Sequence, residues 1–179
     1  RDAEARRARF KKIVKKIAYW IIGLVIVLGG GSWFITGLVP KEPDRSVAYP
    51  ILGRNHIVDG AVGVYNSNPP TSGNHYASPA PVKFYDSELP DEQVVHNLEH
   101  GHVWISYKSD IPEKVIGTLR KLSGGNVIVT ERFKNDTDIA VAAWGRLDKF
   151  NLDNGNLDAQ RIKDFILRYQ NQGPENLTK

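Results

Sequence analysis

His102-Val-Trp-Ile-Ser-Tyr107, followed closely by Pro112-Glu-Lys-Val-Ile-Gly-Thr-Leu-Arg-Lys-Leu122, sets the fold class of this chain. In the first stretch Val103, Ile105 and Tyr107 alternate onto one face, the period of a strand. In the second, Val115, Ile116, Leu119 and Leu122 recur at helical spacing. Gly124-Gly125 breaks the helix, and Val127 to Thr130 returns to strand character. Ile139 to Trp144, small and apolar, reads as a third strand. Leu157 to Gln170 reads as a helix with Ile162, Phe165, Ile166 and Tyr169 on its buried stripe. The order β-α-β-β-α predicts an α+β domain with a mixed sheet, a thioredoxin-like half. Its first two strands are expected to run parallel through a right-handed crossover, and the next pair to form an antiparallel hairpin.

Working backwards, Pro90 to Gly101 reads as a short helix, with Pro90 and acids at its start and Gly101 at its end. Pro81 to Tyr85 reads as a short strand. Residues 50–80 are rich in Gly, Pro, Asn and Ser and show little periodicity. An irregular stretch of that length inside a domain is uncommon and is often functional.

Further upstream, Ile17 to Val39 contains no charged residue. About 20 apolar residues span a bilayer core as a helix. Tyr19 and Trp20 near one end, with Trp33 and Phe34 near the other, fit an aromatic belt. Residues 1–16 carry eight basic and two acidic side chains, and the positive-inside rule keeps such a flank cytoplasmic. The expected organisation is therefore a basic cytoplasmic flank (1–16), a single transmembrane helix (17–39), a linker (40–50) and an extracytoplasmic, histidine-bearing α+β domain (51–176) on a cytoplasmic membrane. The net charge of +4 comes from the flank, since the remainder has 16 basic against 18 acidic side chains. A mildly acidic outer domain without a basic stripe argues against a nucleic-acid partner.

Five histidines and no cysteine or methionine occur in 179 residues. His96 and His100 are four apart, which on a helix places both rings on one face. His75 follows the stiff Asn68-Pro-Pro-Thr-Ser-Gly-Asn74, and His56 lies in Gly53-Arg-Asn-His56. His96-Asn-Leu-Glu99-His100 has the inverted form of a metalloprotease signature. Glu99 is open to three roles: orienting a histidine, ligating directly, or acting as a general base. Asn97 and Asn74 are candidates for fixing imidazole tautomers, and Tyr76 for donating to a ligand. Leu98 is expected in the core.

Asn66-Ser-Asn-Pro-Pro-Thr-Ser-Gly-Asn-His75-Tyr76, then Val95-His96-Asn-Leu-Glu99-His100-Gly101, resembles the hallmark of the domain-of-unknown-function 3105 family. Ala143-Trp144-Gly145-Arg146 and Gly173-Pro174-Glu175 are similar too, and the likeness covers roughly residues 45 to 176. The resemblance implies a bacterial protein with an N-terminal membrane anchor. It implies His56, His75, His96 and His100 as the functional set and sets His102 aside. It implies no reaction.

Imidazole suits Zn, Cu, Ni and Fe, and without Cys or Met a soft-ligand Cu(I) carrier is disfavoured. The leading expectation is a membrane-anchored metal-binding domain for Cu or Zn, with His56, His75, His96 and His100 as ligands and Glu99 in support. One alternative is a metal-dependent hydrolase or oxidoreductase using Glu99 as the base. Another is a metal-free envelope scaffold with the histidines in a polar core.

Overall fold

The computed structural model describes Arg6, residues 12–27 and residues 39–175. The chain divides into two compact units, Arg1–Val39 and Pro40–Lys179. In the first, residues 12–27 form helix α1. Tyr19, Trp20, Ile21, Leu24 and Val25 of α1 are all exposed. Residues 28–38, the rest of the uncharged run, lie outside the described residues. Among the described residues no helix is long and apolar enough to cross a membrane.

In the second unit the periodic half of the sequence forms the elements its pattern predicts. These are β4 (Val103–Tyr107), α3 (Glu113–Leu122), β5 (Val127–Glu131), β6 (Ile139–Ala143) and α4 (Ala159–Tyr169). The Asp158 side chain caps α4 by accepting from the Arg161 N–H at 3.0 Å, satisfying one of the free donors at a helix start. Val103, Ile105 and Tyr107 do share a face. Together with Val129 and Val141 they bury Val115 and Leu119 of α3 and Ile162 and Phe165 of α4. The opposite face, with Trp104, Ile128, Ala142 and Leu147, is covered by Val94 and Leu98 of α2 (Asp91–Glu99). Helices therefore pack on both faces of one sheet.

The sheet order corrects two expectations. It runs β1-β7-β6-β4-β5, with β1 at Val47–Ala48 and β7 at Arg146–Phe150. β4 and β5 are parallel as expected. The segments at 127–130 and 139–144 do not form a hairpin, because β4 lies between them. The hairpin is β6–β7, closed by the two-residue turn Trp144-Gly145. β7 escaped pattern reading because its Arg-Leu-Asp-Lys-Phe sequence looks like a polar turn. Its Asp148 is nevertheless buried, held by the Arg161 guanidinium from α4. Pro81 to Tyr85 is no strand. It makes a single parallel bridge, Phe84 to Val129, on the outer edge of β5.

Residues 41–49, read as a linker, are fastened to this unit. β1 pairs antiparallel with β7. The Lys41 and Glu42 amides donate to Asp164 Oδ2 at 2.9 and 2.6 Å, and Gln160 donates to its Oδ1 at 2.7 Å. Burial pushes the Asp164 carboxyl up, but the Glu42, Gln160 and Lys41 donors and the nearby Arg168 charge hold it below the usual carboxylate value. A carboxyl whose pKa is depressed on folding stabilises the protein fully above its unfolded pKa of about 3.9, and that contribution disappears as pH falls through the folded value. The gap in urea midpoint between wild type and Asp164→Asn is therefore expected to shrink from pH 5 towards pH 2. A gap independent of pH would contradict this assignment.

Candidate metal centre

Two short elements and one helix bring the histidines together. β2 (His56–Ile57) and β3 (His75–Tyr76) run parallel, with His56 opposite His75, so both rings leave the same face. The approach to β3 is built for this. Residues 69–73 are buried, and Gly73 takes φ +129°, a conformation L side chains rarely adopt. The Tyr65 ring packs against Gly73, and its hydroxyl donates to the Asn74 carbonyl at 2.8 Å. From the other side, α2 presents His96, Glu99 and His100 at i, i+3 and i+4 on the face away from the sheet. Leu98 is fully buried in the core, as expected.

The rings pack closely. The His56–His75, His56–His96 and His75–His96 centroid distances are 5.1, 5.2 and 4.9 Å. One ligand atom from each of His56, His75, His96 and Glu99 lies within 4.8 Å of the others. A metal about 2.0–2.1 Å from each ligand separates them by about 3.4 Å at tetrahedral angles. Each side chain then has to close by less than about 1 Å.

Three rings are oriented by backbone carbonyls. His75 Nδ1 donates to Gly73 O at 2.8 Å, His96 Nδ1 to Tyr76 O at 2.6 Å, and His100 Nδ1 to Glu175 O at 2.9 Å. A carbonyl oxygen only accepts, so each Nδ1 carries the proton and each neutral ring offers its Nε2 lone pair. This is how metal-binding imidazoles are commonly fixed. Asn97 does not serve that purpose. Its amide is spent on Ala80, at 2.9 Å in both directions. The carbonyl of Tyr76, not its hydroxyl, meets His96.

The lone pairs then face one another. His75 Nε2 is 3.0 Å from Glu99 Oε2, at exposures of 0% and 1%. The contact lacks hydrogen-bond geometry, leaving His75 Nε2 and both Glu99 oxygens buried without a hydrogen-bond partner. His96 Nε2 and His100 Nε2 are 2.8 Å apart. Acceptors opposed at these distances repel unless a cation lies between them, and burying them unpaired is costly. Burial lowers the His96 pKa, helped by the neighbouring His100, His75 and His56 and opposed by its bond to Tyr76. That favours the neutral ring, the form that binds metal. The donor set and its unpartnered atoms fit a metal ion.

The family profile described as Protein of unknown function (DUF3105) matches residues 56–179. The chain belongs to this family. The match begins at His56 and takes in every residue of the centre. No curated protein and no solved structure matches the chain.

Of the four histidines expected as ligands, His56, His75 and His96 gather with Glu99, which was expected in support. His100 touches the group through His96. His102 stands aside, its Nδ1 donating to Asn97 O at 3.1 Å. Two residues of the surroundings were not anticipated. Arg132 ties the α2 start to the loop ahead of His75: it donates to Asp91 at 2.8 and 2.7 Å and to Asn68 at 2.6 Å. Gly173 packs so tightly on α2 that an added Cβ would lie 2.1 Å from Glu99 O. That close approach lets the Glu175 N–H donate to Glu99 O at 3.0 Å while the Glu175 carbonyl holds His100.

Proposed function

We propose that this domain binds one divalent transition-metal ion, Zn or Cu, through His56, His75, His96 and Glu99, with His100 as a further ligand beside His96. The carrying observation is the buried contact of His75 Nε2 with Glu99 Oε2, two acceptors with no donor between them. Imidazole and carboxylate together suit these metals. The same contact supports Glu99 as a ligand in preference to the general base that the inverted signature suggests. Glu99→Gln keeps the shape and removes the charge. Its affinity for Zn is expected to fall beyond the 10–100-fold typical of an outer-shell partner. A variant that bound Zn as tightly as wild type but lost a catalytic activity would make Glu99 a base and the protein a metal-dependent enzyme.

The domain is proposed to lie outside a cytoplasmic membrane, anchored by residues 17–39. The uncharged run, the exposed apolar side chains of α1 and the basic residues before it support that reading. The unit from Lys41 onward is read as a thioredoxin-like variant, supported by the neighbouring order β7-β6-β4-β5. Protease added to intact spheroplasts is expected to digest the chain beyond residue 40. Protection of residues 41–179 would contradict the orientation.

A further inference from the structure

Arg54 stands two residues before His56. Arg54 Nε is 3.8 Å from Glu99 Oε1, and Nη1 is 3.7 Å from Glu175 Oε1. Both distances exceed a hydrogen bond. The guanidinium is half exposed, whereas Glu99 is buried. A fork of donors is thus held at the rim of the centre by charge, without being tied to either carboxylate.

We infer that Arg54 and the bound metal ion together form a site for a small oxyanion, with one oxygen on the ion and another on the guanidinium. This rests on the metal reading above. Without metal, the Glu99 carboxylate is the buried counter-charge of Arg54. An ion ligated by Glu99 takes over that negative charge, and the imidazole ligands add none. The ion and its ligands then carry a net positive charge. Beside them stands the positive Arg54, with the half-exposed Glu175 as its remaining acidic neighbour among the described residues. His56, the exposed member of the group, marks the side open to solvent. An anion entering there satisfies both positive centres. A guanidinium is a strong donor to the oxygens of a carboxylate or phosphate. Metal binding therefore switches the partner of Arg54 from Glu99 to the incoming anion.

The test uses the full chain loaded with Co(II), whose visible spectrum reports its ligands. Inorganic phosphate and acetate are titrated separately, and the tighter of the two gives the oxyanion class. A saturable spectral change is expected in wild type. Arg54→Ala is expected to weaken anion binding by at least about tenfold, the size of a lost charge-assisted hydrogen bond, measured on the variant fully loaded with Co(II). Arg54→Lys, which keeps the charge but not the fork, is expected to fall between. Equal anion affinity in wild type and Arg54→Ala, or no spectral change with either anion, would overturn the inference. Failure of the chain to take up Co(II) before any anion is added would instead overturn the metal reading, and this inference with it.

Discussion

Arg132→Ala is expected to destabilise the domain by about 3–5 kcal/mol, the cost of removing one partner from a buried ion pair. Arg132 is 2% exposed and makes a two-pronged bond to Asp91 in the first turn of α2. Its remaining donor reaches Asn68 Oδ1 at 2.6 Å and Asn135 Oδ1 at 3.1 Å. Alanine takes the guanidinium from the acceptors of all three residues and unties α2 from the Asn68 loop. Because the loop delivers His75 and α2 delivers His96 and Glu99, the centre is expected to loosen as well. Arg132→Lys does not rescue it, since an ammonium cannot reproduce the fork. Urea unfolding of the metal-free protein measures the effect. A loss under 1 kcal/mol would show that the knot is dispensable.

His75→Ala is expected to remove the stabilisation that metal confers. An ion that binds only the folded state adds about 4.1 kcal/mol when present at about 1,000 times its dissociation constant. His75 is fully buried and its Nε2 faces the Glu99 carboxylate at 3.0 Å, so alanine takes a ligand from the buried side of the centre. The unfolding midpoint of wild type is expected to rise with added Zn, and that of His75→Ala to stay where it is. The same metal-induced rise in both proteins would place the ion elsewhere. His102→Ala serves as the control, since its ring is directed to Asn97 O and not to the centre.

The sequence pattern was informative wherever one side-chain period ran for several residues. β4, α3, β5, β6 and α4 stand where strand character or helical spacing placed them, because the helices bury one apolar stripe and the strands supply apolar residues to the cores on both faces of the sheet. The pairing of His96 with His100 follows from helical geometry in the same way. β7 was hidden by its charges, and the place of β4 between β5 and β6 is a matter of strand order, which hydrophobicity along the chain does not encode. The parallel register of His56 with His75 comes from two strands of two residues each, too short to carry a period. The groups that orient the rings are backbone carbonyls of Gly73, Tyr76 and Glu175, which no side-chain motif reveals. Glu99 was in view as part of the motif. Its entry into the centre beside His75 depends on a strand that packs across the helix from far along the chain.

The most direct test of the central claim is calorimetric titration of the full, metal-free chain, prepared without a histidine tag, with Zn and with Cu. The arrangement of His56, His75, His96 and Glu99 predicts saturable binding of one ion per chain with at least one of these metals. It also predicts loss of that binding in His96→Ala, whose Nε2 stands between the group and His100. No saturable binding of either metal, or one ion still bound by His96→Ala with wild-type affinity, would contradict it.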